Sequence, residues 1–382
     1  MITSVVRRFG LLVFVLLALA TADCAVETSP AHEVVASTEQ AVVTTDFGFV
    51  YATLQSSSYD APAATSFNNH GGVNHVTRLA AGVFRIDFPG LGFADGNVQV
   101  TSAGTGPTEH GGTVRHCIVA SWGPSGTTQQ VYVNCFNYLG NPFDCQFYVS
   151  YQRRTGTDTS GTAYGWAFDP TSAQYTMTSY QWSSGGGNLT VTREGVGQYL
   201  VSFPGQSSGT HFVEATAYGP GSKATCSPAP GSSDTNARVR CYDTNGALAD
   251  SMFTIAYSHS APNAIAAYSF ATVQTGGTPV VTNTQGFLPN QCGGGSSTPA
   301  ATATGSGSSV RVHFPQMSSS FVSSNVMAMS YDTTGRNFCE VIGIGSEAGG
   351  AFANVSCYKN GGPAPSGIQF VIVFTSTLAI VC

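Results

Sequence analysis

Phe84-Arg85-Ile86-Asp87-Phe88-Pro89 alternates apolar and polar side chains and ends on a proline. Period-two alternation marks a strand with one buried face, and a terminal proline stops its hydrogen-bond ladder. The pattern returns as Tyr199-Leu200-Val201-Ser202-Phe203-Pro204 and Val310-Arg311-Val312-His313-Phe314-Pro315, at a spacing of about 110 residues. The first, third and fifth positions are always apolar or aromatic, while the second and fourth vary.

Flanking segments recur at the same offset. Val98-Gln99-Val100-Thr101 corresponds to Val213-Glu214-Ala215-Thr216 and to Val326-Met327-Ala328-Met329. Val133-Asn134-Cys135-Phe136 corresponds to Val239-Arg240-Cys241-Tyr242 and Val355-Ser356-Cys357-Tyr358. Each copy opens on an aromatic-small-aromatic triplet (Phe47-Gly48-Phe49, Tyr164-Gly165-Trp166, Tyr268-Ser269-Phe270) and closes on an alternating strand starting at Phe147, Phe253 or Phe370. Val76-Thr77-Arg78 and Val191-Thr192-Arg193 are shared by the first two copies. Short strands separated by Gly, Ser, Asn and Pro turns, with no capped 3.6-residue pattern, predict an all-β protein of three tandem antiparallel β-sandwich domains. The expected domains are 46–154, 160–258 and 263–382, with polar linkers at 155–161 and 258–262. Over residues 46–381 the pattern resembles tandem modules of exported proteins from high-GC bacteria, a resemblance that implies no activity or site.

Charge narrows the function classes. Of 382 residues only 9% are charged, against 42% hydrophobic, and the formal net charge is −6. No basic cluster exceeds a pair such as Arg153-Arg154, so no stripe exists to neutralise a phosphate backbone or an anionic membrane. Arg7-Arg8 precedes an apolar run over 9–20, and Ala20-Thr21-Ala22 offers a cleavage site, so residues 1–22 read as a secretory signal peptide. Its removal takes two Arg and no acid, leaving 12 − 20 = −8. Cys24 follows the leader as a lipid-acceptor cysteine would, although Thr21 and Asp23 depart from the lipoprotein pattern. Residues 23–45 are polar and patternless, as in a stalk or pro-segment. The chain is expected to be secreted or displayed on the extracellular surface, with no transmembrane span once the leader is removed.

Six of the 10 cysteines occupy matching positions. Cys117 with Cys135, Cys226 with Cys241, and Cys339 with Cys357 lie about 15 to 18 residues apart, a hairpin's length, and predict three disulfides. Cys292 and Cys382 form a fourth expected pair. Cys24 and Cys145 remain, either bridged to each other or left as a lipidated residue and a buried thiol.

Gly205-Gln206-Ser207-Ser208-Gly209 fits G-x-S-x-G, but a strand follows where a nucleophile elbow requires a helix. Gly343-Ile344-Gly345-Ser346-Glu347-Ala348 fits G-x-G-x-x-A but reads as a hairpin, because Cys357 arrives too soon for a βαβ crossover. His70, His75, His110 and His116 concentrate in the first copy, yet share no fixed short spacing with a carboxylate, so no metal is expected. Asp243-Thr244-Asn245-Gly246 resembles the start of a calcium loop and is read as a turn, and no cofactor is expected. The acids Asp87, Asp95, Asp144, Glu194, Glu214, Asp250 and Glu340 are expected to fall at different copy positions, which nominates no catalytic pair. Trp122, Tyr138 and Trp182 are the candidate ligand-binding residues, since exposed rings stack on the apolar faces of sugars, while Trp166 is expected in the core. The expected function is a non-catalytic adhesive or envelope protein, whose partner is an extracellular polysaccharide or a cell-envelope protein. A carbohydrate-binding array and a secreted hydrolase are the alternatives.

Overall fold

The computed structural model describes residues 44–376, except 54–55, 105–113, 157–160, 207–210, 234, 260–266, 276–277, 289–295, 298–299, 318–323, 332–334, 360–361 and 364–367. The expected leader, the stalk up to residue 43, Cys24, His110, Ser207, Ser208 and the Cys292–Cys382 pair lie outside the described residues, whereas Thr44 and Thr45, expected in the stalk, open a strand paired with Thr155 and Arg154. Those described belong to one compact unit beginning at Ala41. Every regular element among them is a β-strand, and no helix is long and apolar enough to cross a membrane.

The alternating stretches behave as their pattern predicts. In Val83–Pro89 every second residue is buried, and Phe84, Ile86 and Phe88 are fully enclosed. Tyr199, Val201 and Phe203, then Val310, Val312 and Phe314, are equally enclosed, each set in a different hydrophobic cluster. Each strand pairs with the second arm of a hairpin: Val83–Pro89 with Thr128–Asn137, Gln198–Ser202 with Asn236–Tyr242, and Ser309–Pro315 with Gly350–Lys359. The hairpins' first arms are Arg115–Ser125, Thr225–Ser233 and Asn337–Glu347. Cys117 and Cys135 stand directly opposite in register, as do Cys226 with Cys241 and Cys339 with Cys357, and all three pairs form disulfides.

Each hairpin sheet shares a hydrophobic cluster with a second set of antiparallel strands. In the first segment its order is Ser66–Asn68, Thr44–Ala52, Gln146–Thr155, Asn97–Ala103. In the second it is Trp182–Ser183, Thr162–Ala167, Met252–His259, His211–Tyr218, and in the third Val280–Leu288, Ala267–Gln274, Gln369–Ser376, Ser324–Ser330. The last strand in each order is termed an inner strand below.

The inner strands do not end their sheets in solvent. Asn97–Ala103 runs parallel to Asn337–Glu347 and bridges it at Ala103 and Val341. His211–Tyr218 runs parallel to Arg115–Ser125 and bridges it at Tyr218 and Val119. Ser324–Ser330 lies against Thr225–Ser233. Two of the resulting sheets have nine strands and mix residues from two segments. Pairing of this kind covers backbone donors and acceptors that an exposed edge would present to other chains.

Local chemistry explains the shared Val-Thr-Arg. Arg78 binds Asp144 at 2.8 Å, and Asp144 also accepts the Gly82 N–H at 2.7 Å. Arg193 binds Asp250 at 2.7 Å, and Asp250 accepts the Gly197 N–H at 2.8 Å. Asp144 and Asp250, expected at different copy positions, therefore take matching places. Both glycines have φ above +60° in tight turns, and a Cβ at either would stand within 2.6 Å of a backbone oxygen, Cys135 O or Cys241 O.

Because the sheets are shared, calorimetry on the oxidised protein is expected to show one unfolding transition; three resolved transitions would contradict the single compact unit. The double variant Cys226→Ser/Cys241→Ser is expected to lower the stability of the whole transition by roughly 3 kcal/mol, the loop-closure value for a bridge of this length.

Candidate functional site

The three inner strands meet in a closed cycle of contacts. Thr101 Oγ1 donates to the Ala328 carbonyl at 2.8 Å and accepts the Ala328 N–H at 3.3 Å, tying the first segment to the third. Thr216 Oγ1 accepts the Val100 N–H at 3.2 Å and donates to the Gln99 side-chain oxygen at 2.7 Å, tying the second to the first. Ala215 directs its N–H at the Met329 sulfur at 3.1 Å, tying the third to the second. A threonine hydroxyl both donates and accepts, whereas a thioether is only a weak acceptor, so the third link is the softest.

Around this junction lies a cavity of about 60 Å³, walled by the inner strands and by the three first arms, with His116, Thr225 and Phe338 at matching places beside the disulfides. Arg336 lies against all three. Its Nη1 donates to the Tyr138 carbonyl at 2.7 Å and the Thr244 carbonyl at 3.0 Å, its Nε to Thr225 Oγ1 at 3.3 Å, and its plane covers the Phe338 ring. Burial pulls the Arg336 pKa down to about 10. His116 stacks on Phe136 and meets Phe338 at a tilt, and burial, reinforced by Arg336, holds its pKa at about 3, so the ring is neutral at ordinary pH.

A second buried charge links the first and third segments. Arg115 and Glu340 are each 1% exposed and paired at 3.2 Å, and the Arg115 N–H also donates to Glu340 at 2.7 Å. Burial raises the Glu340 pKa and Arg115 opposes it. Sequence reasoning named Glu340 only as a scattered acid and missed Arg115 and Arg336. The available signal was their place in a chain so poor in charge: each lies two or three residues before a hairpin cysteine.

Cys145 lies buried in the first core with its thiol 3.3 Å from Cys117 Sγ, and the sulfurs of Cys117, Cys135 and Cys145 fall within 4.8 Å of one another. Cys117 and Cys135 are bonded to each other, which leaves one thiol donor, and burial pushes that thiol far above the usual range.

The predicted ligand-binding rings do not form one platform. Trp122 is half-buried and meets Trp166, Tyr180 and Tyr218 edge-on. Trp166, expected in the core, is also half-buried in this cluster. Trp182 stacks on Tyr164, and its indole N–H donates to the Gly156 carbonyl at 3.0 Å. Tyr138, 36% exposed, sits in a turn whose carbonyl Arg336 holds. His70 pairs with Asp46 at 2.9 Å and His75 with Asp60 at 2.7 Å, each apart from His116 in its partners. Gly343 to Glu347 belong to a hairpin arm, and Asp243 accepts the N–H groups of Asn245 and Ala247 within a turn. Compared with known proteins, the chain matches no family model, no curated sequence and no solved structure.

Glu214, half-buried on the second inner strand, stands where the first strand has Gln99 and the third Met327. Burial raises its pKa from 4.5 to about 7. The folded state therefore holds this proton more tightly than the unfolded chain, giving stability that is complete below pH 4.5 and lost as pH rises through about 7. In urea titrations Glu214→Gln is expected to match the wild type near pH 4 and to exceed it above pH 8 by about 1–3 kcal/mol. For the buried pair, Arg115→Met alone is expected to cost roughly 3–5 kcal/mol by stranding Glu340. Adding Glu340→Ile, the residue type at Ile118 on the matching first arm, is expected to restore most of that loss; a double variant less stable than the single would contradict it.

Proposed function

We propose that this is a non-catalytic, exported or surface-displayed protein in which three copies of one β-sandwich unit close side by side, presenting turns and strand edges for adhesion or envelope contact. The matching strand orders, hairpin disulfides and inner-strand positions of the three segments support the tandem arrangement. The leader-like residues 1–22 and the disulfides favour an oxidising compartment.

The observation that carries the non-catalytic reading is the use made of the carboxylates. Asp46 binds Arg153, Asp87 binds Arg85, Asp144 binds Arg78, Glu194 binds Arg238, Asp250 binds Arg193 and Glu340 binds Arg115. A glycosidase needs two acids facing one cleft with room for substrate. Here the acids hold strands and turns together. The carbohydrate-binding alternative draws less support, because Trp122 and Trp182 are engaged with neighbouring rings.

The test is adherence of beads coated with the mature protein to bacterial envelope fragments, run beside a polysaccharide panel and assays for product release. Adherence to the fragments without retention on, or turnover of, any polysaccharide is the expected result. Product release would overturn the proposal in favour of a hydrolase. Retention on one polysaccharide, lost in Trp122→Ala or Trp182→Ala, would overturn it in favour of a carbohydrate-binding array.

A further inference from the structure

Thr304, His313 and Glu347, all in the third segment, are joined in one hydrogen-bonded series. Thr304 Oγ1 lies 3.0 Å from His313 Nε2, and His313 Nδ1 is bonded to the Glu347 carboxylate. A carboxylate only accepts, so Nδ1 carries the proton. In the neutral ring Nε2 is then the acceptor, and the Thr304 hydroxyl donates to it. A hydroxyl bonded to an imidazole that a carboxylate orients is the arrangement that activates a side-chain oxygen as a nucleophile. The 3.0 Å separation is within the reach of about 2.6–3.2 Å that proton abstraction requires.

The neighbours of this series suit the same chemistry. Thr302–Ser306 is the last strand of its sheet, and Thr304 is exposed on it. Thr304, Arg311 and Asn354 stand directly opposite one another across three strands, and His313 is two residues from Arg311 on the same face. Val310, Val312 and Phe314 alternate with them and fill the core instead. Thr304, Arg311, His313 and Asn354 all border a cavity of about 440 Å³, to which Ile342 adds an apolar wall. Small-molecule sites span roughly 300–1,000 Å³. Arg311 is braced beside the cavity: its Nε donates to Asn354 Oδ1 at 3.0 Å, and its guanidinium lies 4.0 Å from the Phe352 ring centroid. Among the described residues no carboxylate pairs with it, so its terminal nitrogens are free to meet developing negative charge.

We propose that Thr304 is a nucleophilic acyl-acceptor site whose substrate is an activated carboxylic ester. Thr304 Oγ1 bonds to the ester carbonyl carbon while His313 Nε2 takes the hydroxyl proton. Glu347 stabilises the imidazolium so formed, and Arg311 is placed to meet the oxyanion. Collapse breaks the bond to the alcohol, which leaves with the proton held by His313, and Thr304 is left esterified. A single transfer of this kind needs no turnover, so the site does not rest on the adhesive reading and does not conflict with it.

The test uses an alkyl fluorophosphonate, which loses fluoride to an activated hydroxyl and requires no knowledge of the natural ester. On the folded full chain, mass spectrometry is expected to find a phosphonyl group on Thr304, absent when the chain is unfolded in urea. p-Nitrophenyl acetate is expected to place an acetyl group on the same residue. Thr304→Val is expected to lose both labels. His313→Gln is expected to slow labelling about a hundredfold, the lower end of a general base's contribution. Glu347 is a positioning residue, and its readout is the ring it orients: NMR shifts of the His313 ring nitrogens are expected to report the proton on Nδ1, a preference lost in Glu347→Ala. No label on the folded chain, labels only on other hydroxyls, or a Thr304 label undiminished in His313→Gln would overturn the proposal and leave the adhesion assay untouched. So would a wild-type His313 protonated on Nε2. Should His313→Gln not fold, the comparison of folded with urea-unfolded wild type decides.

Discussion

Three side chains, Thr101, Thr216 and Met329, each reach the backbone of the preceding segment's inner strand, with the first reaching the third, and the architecture depends on that closure. It forces the inner strands to be covered on both faces: every residue of Asn97–Ala103 and of Ser324–Ser330 is buried. Amides enclosed in this way need internal partners. Asn97 donates to the Gly165 and Ile255 carbonyls at 3.2 Å each, Gln99 donates to Asn97 at 2.9 Å, and Thr254 donates to the Val98 carbonyl at 2.7 Å. The first and second segments thus meet through a polar network, whereas the third contributes Met327 and Met329, flexible side chains that fill irregular gaps.

The charges at the junction break the likeness among the three segments. Arg115 and Glu340 occupy positions where the other segments carry Ala224 and Asn337, or Ile118 and Ser227. A buried ion pair contributes little net stability, but losing one partner is costly, so such a pair acts mainly against wrong pairings of otherwise similar edges. Arg336, reaching turns of both other segments, has the same discriminating effect.

How much of this was legible depends on whether the controlling contact is local in sequence. The hairpins and their disulfides follow from alternation and cysteine spacing, because an antiparallel hairpin places its own partners opposite each other; Cys117 and Cys135 needed no other information. The enclosed faces of the Phe84, Tyr199 and Val310 strands were equally readable. Sharing of sheets between segments was not, since a parallel bridge such as Tyr218 with Val119 leaves no mark on periodicity. Val326-Met327-Ala328-Met329, with no polar residue in alternation, held the clue that an inner strand is covered twice. Trp122 was read as a surface ring because it lacks a counterpart in the other copies. It lacks one because it belongs to a junction: Tyr180, held at φ 52°, and Tyr218 bring second-segment rings against it.

Edge sharing also bears on synthesis. The strand Asn97–Ala103 is made early, yet its parallel neighbour Asn337–Glu347 belongs to the last segment to emerge. Until then a nascent chain carries an unpaired β edge flanked by apolar residues, the kind of surface on which a second copy of the same chain can pair. Only pairing with Asn337–Glu347 covers that edge. The order in which the ring closes is dictated by the direction in which the polypeptide is made.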